Sequence, residues 1–363
     1  MTDASYAVIM AGGKGQRFWP ASTDARPKQL LALSGDRPLV ANSVDRLQGL
    51  IPPERILIVT RADLVEPIAA CNPGLPRENI VGEPCGRDTA AACALGLALV
   101  KRRDPKAAFA ILTADHVIRD VPGFHTALRD CFRLALTEDV LVTMGIVPAF
   151  ASTGFGYIEC GDAIVSHSET GFFRARRFVE KPDRPAAERY RAAGNYFWNS
   201  GMFVWSVSAF EKALRAHRPP LAAMAERLAA TDGADRFAAL LEKEYAGLDR
   251  ISVDYAVMEK ADNIVMARGD FGWDDIGSWS AIATYCEADA DGNALVGRGA
   301  ALDAKNTLVF ARDTERVTAL IGVRDLVVVH TDRATLICPK DRAEEVKAMT
   351  DLLKSRGGFE DVL

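Results

Sequence analysis

Residues capable of phosphate chemistry are concentrated near the start of the chain, where three glycines are followed by two cations. Gly12, Gly13 and Gly15 come directly after an apolar run, and Arg17 and Lys28 follow them. Backbone amides freed by glycine, together with cationic side chains, form binding sites for phosphate groups. The sequence therefore predicts a polyphosphate site after the first strand, with a simple tight turn as the alternative.

The spacing of this loop differs from the two commonest phosphate motifs. A dinucleotide-binding fingerprint needs Gly or Ala where this chain has Phe18. A P-loop needs Lys followed by Ser or Thr, whereas Lys14 is followed by Gly15. Pro20 and Pro27 indicate that the chain stays extended after Phe18 and does not enter a helix at once. The loop therefore predicts phosphate binding by a motif that is neither a dinucleotide-binding fingerprint nor a P-loop.

Two acidic segments lie further along the chain. Asp115 comes directly after an apolar run, and Asp274 and Asp275 lie between Trp273 and Trp279. Carboxylates suit Mg²⁺, which prefers oxygen ligands and bridges substrate phosphates. Asp115 could instead cap the next helix, and the paired aspartates could form an exposed turn. Because two tryptophans would be unusual beside an exposed turn, the functional interpretation of the pair is favoured.

Glu83 is a candidate for recognising a nucleotide base. It follows a short predicted strand, and its carboxylate could accept hydrogen bonds from the N1 and N2 edge of guanine, which adenine lacks. The alternative is the start of a helix with Asp88 or Thr89 as N-cap and a solvated Glu83. Both interpretations can hold together.

Three short segments in the middle of the chain suit a sugar phosphate. They are Gly156-Tyr157-Ile158, Glu180-Lys181-Pro182 and Asn199-Ser200-Gly201. A carboxylate and an amide can pair with sugar hydroxyls, and a lysine can hold the sugar phosphate. Taken singly, each segment could equally be the end of a strand or a turn.

The first half of the chain alternates apolar strands with helices. Strands are predicted over 6–10, 55–60, 80–81, 108–113 and 141–146, with helices over 39–47, 63–70, 88–102 and 124–137. This alternation predicts a Rossmann-like, mostly parallel sheet with helices on both faces. The loops after its strands should open at one edge, where such sheets bind ligands.

The second half is mixed and then becomes β-rich. Strands are predicted over 154–159, 175–180, 197–207 and 264–267, with helices over 185–193, 209–246 and 252–258. Beyond Asp289 come short valine-rich strands and a final helix over 341–354. The sequence therefore predicts a main domain over 1–288 and a small β-rich domain with a terminal helix over 289–363.

Bulk properties exclude several classes of protein. The 363 residues are 49% hydrophobic and 26% charged, with a net charge of −5 and both signs mixed, which speaks against nucleic-acid binding. The chain has no pattern typical of a secretory signal and no apolar stretch that could span a bilayer, so a cytoplasmic protein without a membrane partner is predicted. The seven cysteines form no Cys-x-x-Cys pair, which indicates reduced thiols rather than a zinc site or disulfide framework.

Taken together, these motifs resemble those of the sugar-1-phosphate nucleotidyltransferase family. The family pattern Gly-Gly-x-Gly-x-Arg-x-x-Pro, followed by Pro-Lys, matches residues 12–20 and 27–28. The variant Arg-Phe-Trp-Pro-Ala-Ser over 17–22 is similar to the mannose-1-phosphate guanylyltransferase branch. The family's Ala-Asp-His and Trp-x-Asp-x-Gly-Ser-Trp match 114–116 and 273–279. The likeness extends over 6–357.

The segment after Glu83 resembles the family pattern Glu-Pro-x-x-Arg-Asn-Thr-Ala-Pro-Ala. The chain departs from that pattern with Asp88 in place of Asn and Ala91 in place of Pro. These two changes leave the strictness for a guanine base open.

The resemblance implies a fold, a reaction and a cofactor. The fold is of the nucleotide-diphospho-sugar transferase type, with a C-terminal domain similar to a left-handed β-helix. The reaction is GTP plus α-D-mannose 1-phosphate giving GDP-mannose and diphosphate, with Mg²⁺ as cofactor, and the resemblance allows a homodimer. An appended isomerase domain, known in bifunctional relatives, is expected to be absent because the chain ends at Leu363. The alternatives are another sugar 1-phosphate as substrate, or a non-catalytic regulatory subunit.

The resemblance also assigns site residues. Those implied to be catalytic are Arg17, Lys28, Asp115 and Asp275, the last two as the metal ligands. Those implied to bind the nucleotide are Ala11, Gly12, Gly13, Gly15, Glu83, Arg87 and Thr89. Those implied to bind the sugar phosphate are Gly156, Tyr157, Glu180, Lys181 and Asn199.

Overall fold

The computed structural model describes residues 4–13, 15–71, 74–166, 168–312 and 314–363. The strands, in chain order, are β1 (Ser5–Ala11), β2 (Ile56–Arg61), β3 (Ile80–Glu83), β4 (Ala108–Thr113), β5 (Val117–Ile118), β6 (Leu141–Ile146), β7 (Tyr157–Ile164), β8 (Phe172–Val179), β9 (Tyr196–Ser206), β10 (Ile264–Gly269), β11 (Trp273–Asp274), β12 (Ala294–Val296), β13 (Arg298–Leu302), β14 (Leu308–Phe310), β15 (Val317–Ile321), β16 (Leu326–His330) and β17 (Thr335–Pro339).

The helices are α1 (Leu39–Asp45), α2 (Val65–Cys71), α3 (Asp88–Arg103), α4 (Val121–Thr137), α5 (Arg184–Ala193), α6 (Val207–His217), α7 (Pro219–Ala229), α8 (Ala234–Ala246), α9 (Trp279–Ile282) and α10 (Val346–Arg356). Short 3₁₀ turns cover Gln16–Phe18, Lys28–Leu30 and Lys340–Glu345, and a π-helical turn covers Asp254–Met258. No described helix is both long enough and apolar enough to cross a bilayer.

The described residues divide into two compact units. The sheet unit comprises 4–12, 43–114 and 118–273, and the β-rich unit comprises 13–42, 115–117 and 274–363. The glycine loop is thus shared, since Gly12 ends a segment of the sheet unit and Gly13 begins one of the β-rich unit. The division into domains at 288/289 stays a prediction.

The sheet unit is built on a mixed sheet. Its described strands follow the order β3-β2-β1-β4-β9-β6-β10-β8-β7. The pairs β3–β2, β2–β1, β1–β4 and β6–β10 are parallel, whereas β9 runs antiparallel to both β4 and β6. Because β1, β3 and β4 are parallel, they end at one edge, as the alternation of strands and helices predicted.

Both faces of the central strands are buried. In β1, Val8 and Ile9 point to opposite faces because side chains alternate along a strand, and both are fully buried. Val8 packs in one core with Phe109, Trp205 and residues of α3, α6, α7 and α8. At Gly96 of α3 a Cβ would lie 3.0 Å from Val8 Cγ1, so this glycine permits the helix to approach β1 closely.

The sequence-predicted elements agree with these bounds in most places, and the differences have physical reasons. The helices predicted over 209–246 are three in number: α6 is followed by α7, which Pro219 opens, and by α8, which Gly233 precedes. The terminal helix predicted from 341 begins with a 3₁₀ turn over Lys340–Glu345. The predicted parallel character holds for β1 to β4, while β8 and β9 reverse direction.

The C-terminal strands of the β-rich unit form a coil that alternates between two small sheets. β12, β14 and β16 pair in parallel with Ala294, Leu308 and Val327 in register, and β17 closes this sheet antiparallel to β16. β13 and β15 form the second parallel pair. Such a coil stacks short valine-rich strands and buries their inward side chains, which agrees with the sequence pattern.

The segment after the glycine loop packs into the same core as these strands. Phe18 meets Trp279 edge to face with ring centroids 5.3 Å apart, and Trp279 lies 5.0 Å from Phe310. Trp279 Nε1 donates to Trp19 O at 3.1 Å, and Trp19 Nε1 donates to Val362 O at 2.7 Å. The core of the β-rich unit therefore holds the loop that carries Arg17.

Truncating Trp279 tests this arrangement. Trp279 is fully buried, so Trp279→Ala should lower the free energy of unfolding by about 3–5 kcal/mol through loss of packing. Trp279→Phe loses the bond to Trp19 O and part of the ring volume but keeps an aromatic ring in the core, so it should cost less. Urea unfolding would measure both, with the 61%-exposed Leu302→Ala as control. A Trp279→Ala variant as stable as the control would contradict this packing.

Candidate active site

Lys28 lies at the centre of a cluster of charged residues in the β-rich unit. Its ammonium group donates to Asp115 Oδ2 at 2.9 Å and to the carbonyl oxygen of Asp275 at 2.7 Å. Only 6% of Lys28 is exposed, and its Nζ also lies 5.4 Å from the centroid of the Phe18 ring. A buried ammonium needs such partners because its desolvation is costly. Lys28 thereby brings together two acidic residues that are far apart in sequence.

Asp115 is held as a carboxylate next to this cation. Burial favours the neutral acid, but the Lys28 ammonium and the neighbouring His116 outweigh it and keep the pKa of Asp115 below its ordinary value. Asp115 does not cap the following helix. The N-cap of α4 is Asp120, whose side chain accepts from Gly123 N. The alternative interpretation of Asp115 as a helix cap is therefore excluded.

Asp275 and Asp274 have different surroundings. Burial raises the pKa of Asp275 to about 6 against the attraction of Lys28, with Asp274 and Asp115 adding repulsion. Asp274 instead accepts from Ile276 N at 2.8 Å and from the Tyr285 hydroxyl at 2.8 Å. Asp274 therefore braces the turn, which leaves Asp275 as the member of the pair that lines the cavity described next.

A cavity of about 330 Å³ opens on this cluster. Its lining unites candidate catalytic residues with parts of the glycine loop and with Lys347, which sequence reasoning missed. The described lining residues are Gly15, Gln16, Arg17, Phe18, Lys28, Asp115, His116, Asp275, Gly277 and Lys347. All four residues predicted to be catalytic therefore line one cavity, which suits a polyphosphate and a metal ion.

Gly15 is required by the geometry of the loop. Its φ of +62° is in the left-handed region, and a Cβ there would lie 2.3 Å from Lys28 Cβ. Any larger residue would displace Lys28. Gly15 therefore both adopts the left-handed backbone conformation and lets the loop pack closely against Lys28.

Backbone strain is found at three candidate segments. Ile276, directly after Asp275, has φ of +42°, and β-branched residues rarely adopt this region. Lys181 has φ of +41° and Asp88 has φ of +67°. Strained conformations of this kind persist where the surrounding structure fixes them, and they are concentrated at functional sites.

In the sheet unit, Glu83 is buried and faces the glycine loop rather than solvent. The Tyr245 hydroxyl donates to Glu83 Oε1 at 3.1 Å, and a Cβ at Gly12 would lie 3.6 Å from Glu83 Oε2. Burial raises the pKa of Glu83 to about 7, although the bond from Tyr245 opposes the shift. The interpretation of Glu83 as a solvated residue is wrong. Ala11, at the end of β1, accepts from Thr60 Oγ1 at 2.8 Å.

Arg87 and Thr89 hold neighbouring backbone. Arg87 donates to Tyr245 O at 3.0 Å and to Ala246 O at 2.6 Å, at the C-terminal end of α8, where a cation is favourable. Thr89 Oγ1 accepts from Val253 N at 2.9 Å. These side chains are engaged with protein, so their predicted contact with a nucleotide stays a prediction.

The predicted sugar-side residues come together around Gly156. A Cβ on Gly156 would lie 2.7 Å from Glu180 Oε2 and 3.6 Å from Asn199 Cβ, so a larger residue would push the Glu180 carboxylate aside. Asn199 N donates to Gly156 O at 2.8 Å, and Lys181 Nζ lies 3.3 Å from Glu180 Oε1. Asn199 lies within β9, so this segment is a strand rather than a turn.

Asp254 joins this cluster and was missed by sequence reasoning. Asn199 Nδ2 donates to Asp254 Oδ1 at 2.7 Å, and burial, with Glu180 nearby, raises the pKa of Asp254. The sequence does contain a feature that could have identified Asp254: an acidic residue stands close to the apolar run Ala256-Val257-Met258, which is buried. Tyr157 is fully buried, and its hydroxyl bonds to the backbone of Ser152, so it supports the segment from within.

The β-rich unit offers a donor set that fits a divalent metal ion. Among the described residues no group of three or more His, Cys, Asp or Glu could hold a metal ion. Two carboxylates, Asp115 and Asp275, line the cavity beside space for a ligand. Mg²⁺ is typically bound by one or two carboxylates and completes its shell with water and substrate phosphates. The residues present therefore fit such an ion.

The chain is similar to known proteins in both sequence and structure. A family model described as nucleotidyl transferase matches residues 6–292, and one described as MannoseP isomerase/GMP-like beta-helix domain matches 297–353. The chain is 36% identical to mannose-1-phosphate guanylyltransferase 2 of Escherichia coli O157:H7, covering 98% of this chain and 74% of that protein. It is 38% identical to mannose-1-phosphate guanylyltransferase of Klebsiella pneumoniae, covering 96% of this chain and 73% of that protein.

A solved structure extends the likeness to the whole fold. The crystal structure described as mannose-1-phosphate geranyltransferase from Thermus thermophilus superposes with a TM-score of 0.84 at 36% identity, covering 97% of this chain and 99% of that one. The chain therefore belongs to the nucleotidyl transferase family, in its mannose-1-phosphate guanylyltransferase branch. The predicted α/β nucleotide-diphospho-sugar transferase fold with a β-rich C-terminal domain is confirmed. Enzymes of this family generally use a divalent metal.

The raised pKa of Glu83 predicts a dependence of stability on pH. A carboxyl whose pKa rises from 4.5 to about 7 on folding stabilises the fold fully below the unfolded pKa. That contribution, about 3 kcal/mol, is lost as pH rises through the folded value. Thermal unfolding of the parent and of Glu83→Gln across about pH 4–8 would measure it. The parent should lose more stability than the variant over this range; parallel curves would contradict the assignment.

Proposed function

We propose that the protein transfers the guanylyl group of GTP to mannose 1-phosphate and releases GDP-mannose and diphosphate. A phosphate oxygen of the sugar phosphate attacks the α-phosphorus of GTP. The bond between that phosphorus and the oxygen bridging to the β-phosphate breaks, and diphosphate leaves with the bonding electron pair. The proposal extends to this chain the activity that the names of its relatives state.

The observation that supports it best is the Lys28 cluster. Lys28 holds Asp115 and the backbone of Asp275 in a cavity that also contains Arg17. The described residues that line this cavity include no Ser, Thr or Cys that could act as a nucleophile. Direct transfer between two bound substrates, without a covalent enzyme intermediate, fits this lining. The protein then contributes positioning and charge stabilisation.

Roles follow for the residues of the cavity. Lys28 orients the carboxylate of Asp115 and the backbone of Asp275, while Arg17 faces the cavity as a cation for the phosphates. Arg17 has no hydrogen bond or ion pair within the described chain, so its five donors stay available for an anion. The amides of Gly13 and Gly15 suit the phosphate chain.

Asp115 and Asp275 would hold Mg²⁺. The ion supplies charge neutralisation at the phosphates when it is bound. The two side chains differ in pKa, with Asp115 below its ordinary value and Asp275 raised by burial, so Asp115 is ionised more readily. Both are oxygen donors, and neither is engaged in capping a helix.

Residues of the sheet unit would recognise the guanine base and the mannose ring. Glu83, beside Gly12, presents Oε2 for the donor edge of guanine, while its Oε1 is held by Tyr245. Glu180 and Asn199 would accept and donate hydrogen bonds to sugar hydroxyls, with Asp254 fixing the Asn199 amide. Lys181 would hold the sugar phosphate. Arg87, Thr89 and Tyr157 keep the surrounding backbone in place.

A diphosphate-release assay tests the reaction. GTP and ATP are each combined with mannose 1-phosphate, glucose 1-phosphate and other sugar 1-phosphates in the presence of Mg²⁺. We expect the highest kcat/KM for GTP with mannose 1-phosphate. Faster turnover of a different sugar 1-phosphate, or no diphosphate release with any pair, would overturn the proposal. Light scattering of the same sample would test the predicted homodimer.

The metal assignment predicts the effect of Asp275→Asn. The substitution keeps the size of the side chain but removes its charge, so kcat should fall by about 100-fold or more. Asp274→Asn is the matched control, because Asp274 braces the turn through Ile276 and Tyr285. A Mg²⁺ titration of turnover would compare the two. If Asp275→Asn turned over like the parent at every Mg²⁺ concentration, Asp275 would not be a ligand.

A further inference from the structure

Lys347 contributes a cation to the cavity from the last helix of the chain. It lies in the first turn of α10, and its side chain lines the cavity together with Arg17, Lys28 and Asp275. Helix α10 follows the small β-rich coil, far from the sequence motifs of the N-terminal part. Those motifs therefore do not include Lys347. Its presence in the lining therefore comes from the tertiary structure alone.

Lys28 and Lys347 differ in how their ammonium groups are used. Lys28 is buried and donates to Asp115 and to the Asp275 carbonyl, so two of its three donors are engaged. Lys347 is exposed, and within the described chain its ammonium makes no hydrogen bond or ion pair. The nearby carboxylate of Glu345 is paired with Arg342 at 2.7 and 2.5 Å. Lys347 thus keeps all three donors for a ligand.

The position of Lys347 is unfavourable for the helix itself. The N-terminal turn of a helix carries partial positive charge and favours acidic side chains. A lysine there does not stabilise α10 through the helix dipole. Its positive charge favours an anion in the cavity that it lines.

The charge balance of the cavity leads to the same conclusion. Its described lining contains the cations Arg17, Lys28 and Lys347 and the carboxylates Asp115 and Asp275. Lys28 is paired with Asp115, and Asp275 would be taken up by a metal ion. Arg17 and Lys347 are then the cations left to face a polyanion. A triphosphate carries most of its negative charge on the two terminal phosphates, which leave as diphosphate.

We propose that Lys347 binds these two terminal phosphates of the nucleotide and the diphosphate product. The inference rests on the proposed function and names a binding residue that the N-terminal motifs do not contain. In this arrangement Lys28 orients the acidic residues, and Lys347 joins Arg17 as the cation that holds the leaving group. The C-terminal β-rich region thereby contributes directly to substrate binding.

Equilibrium binding tests the proposal without requiring turnover. Isothermal titration calorimetry in Mg²⁺ compares the parent with Lys347→Ala, Lys347→Met and Lys347→Arg, using diphosphate, GTP and GMP as ligands. Lys354→Ala is the matched control, because it removes the same charge from the same helix and Lys354 is not among the residues that line this cavity. Thermal unfolding of each variant checks that α10 stays folded.

The proposal predicts about tenfold weaker binding of diphosphate and GTP for Lys347→Ala and Lys347→Met, since one charged hydrogen-bond donor is lost. Binding of GMP, which lacks the two terminal phosphates, should not change. Lys347→Arg should retain most of the affinity, and Lys354→Ala should bind like the parent.

Three results would overturn it. These are parent-like diphosphate binding by Lys347→Ala, an equal loss of affinity for GMP, or the same loss in Lys354→Ala. Because binding is measured without a sugar phosphate, a different sugar specificity would overturn the proposed reaction but leave this inference standing. A parent protein that bound neither GTP nor diphosphate would overturn both.

Discussion

The arrangement of acidic residues in the β-rich unit depends on one buried cation, Lys28. Lys28 is 6% exposed, and the free energy cost of removing its ammonium from water is offset by Asp115 and by the carbonyl of Asp275. This interaction brings together three segments that are far apart in sequence. Removing the Asp115 carboxylate would leave the buried Lys28 ammonium without its charged partner, which is more costly than the net value of the pair. The geometry of the acidic residues therefore follows from the burial of Lys28.

The surrounding packing keeps this cation in place. Gly15 lets the loop lie directly against Lys28, and Phe18 lies beneath the ammonium while its ring meets Trp279. The strained Ile276 directly follows Asp275, whose carbonyl accepts from Lys28. Strain of about 1–3 kcal/mol in such a residue needs a rigid surrounding, which the Trp279 core supplies. The same core positions α10 and with it Lys347.

Much of this could be predicted from the sequence, because local patterns determine it. The strands over 108–113 and 141–146 have the bounds that their apolar runs predict. The catalytic candidates could be named because glycine, lysine and aspartate stand in motifs of fixed spacing. The family comparison confirms the fold and the enzyme class that these motifs predicted.

The rest depends on tertiary contacts that no local pattern records. The sequence around Lys347 does not distinguish it from other lysines on exposed helices, and only the folded chain places it in the cavity lining. Likewise, only the hydrogen bond from Asn199 identifies Asp254 as part of the candidate sugar-binding cluster. Arg87 matches a nucleotide-binding motif, yet its guanidinium holds the end of α8. The reversed direction of β9 was hidden because its apolar residues indicate a buried strand but not whether its neighbours are parallel or antiparallel. Periodicity identifies an element but not its partner.

Lys28 thus organises the acidic residues of the cavity. A ¹³C NMR titration of the Asp115 carboxyl in the parent and in Lys28→Met tests this role. In the parent, the pKa of Asp115 should lie below its ordinary value, and in Lys28→Met it should rise, because burial then acts without the opposing cation. An Asp115 pKa that is the same in both proteins would show that Lys28 does not control this carboxylate and would contradict the account.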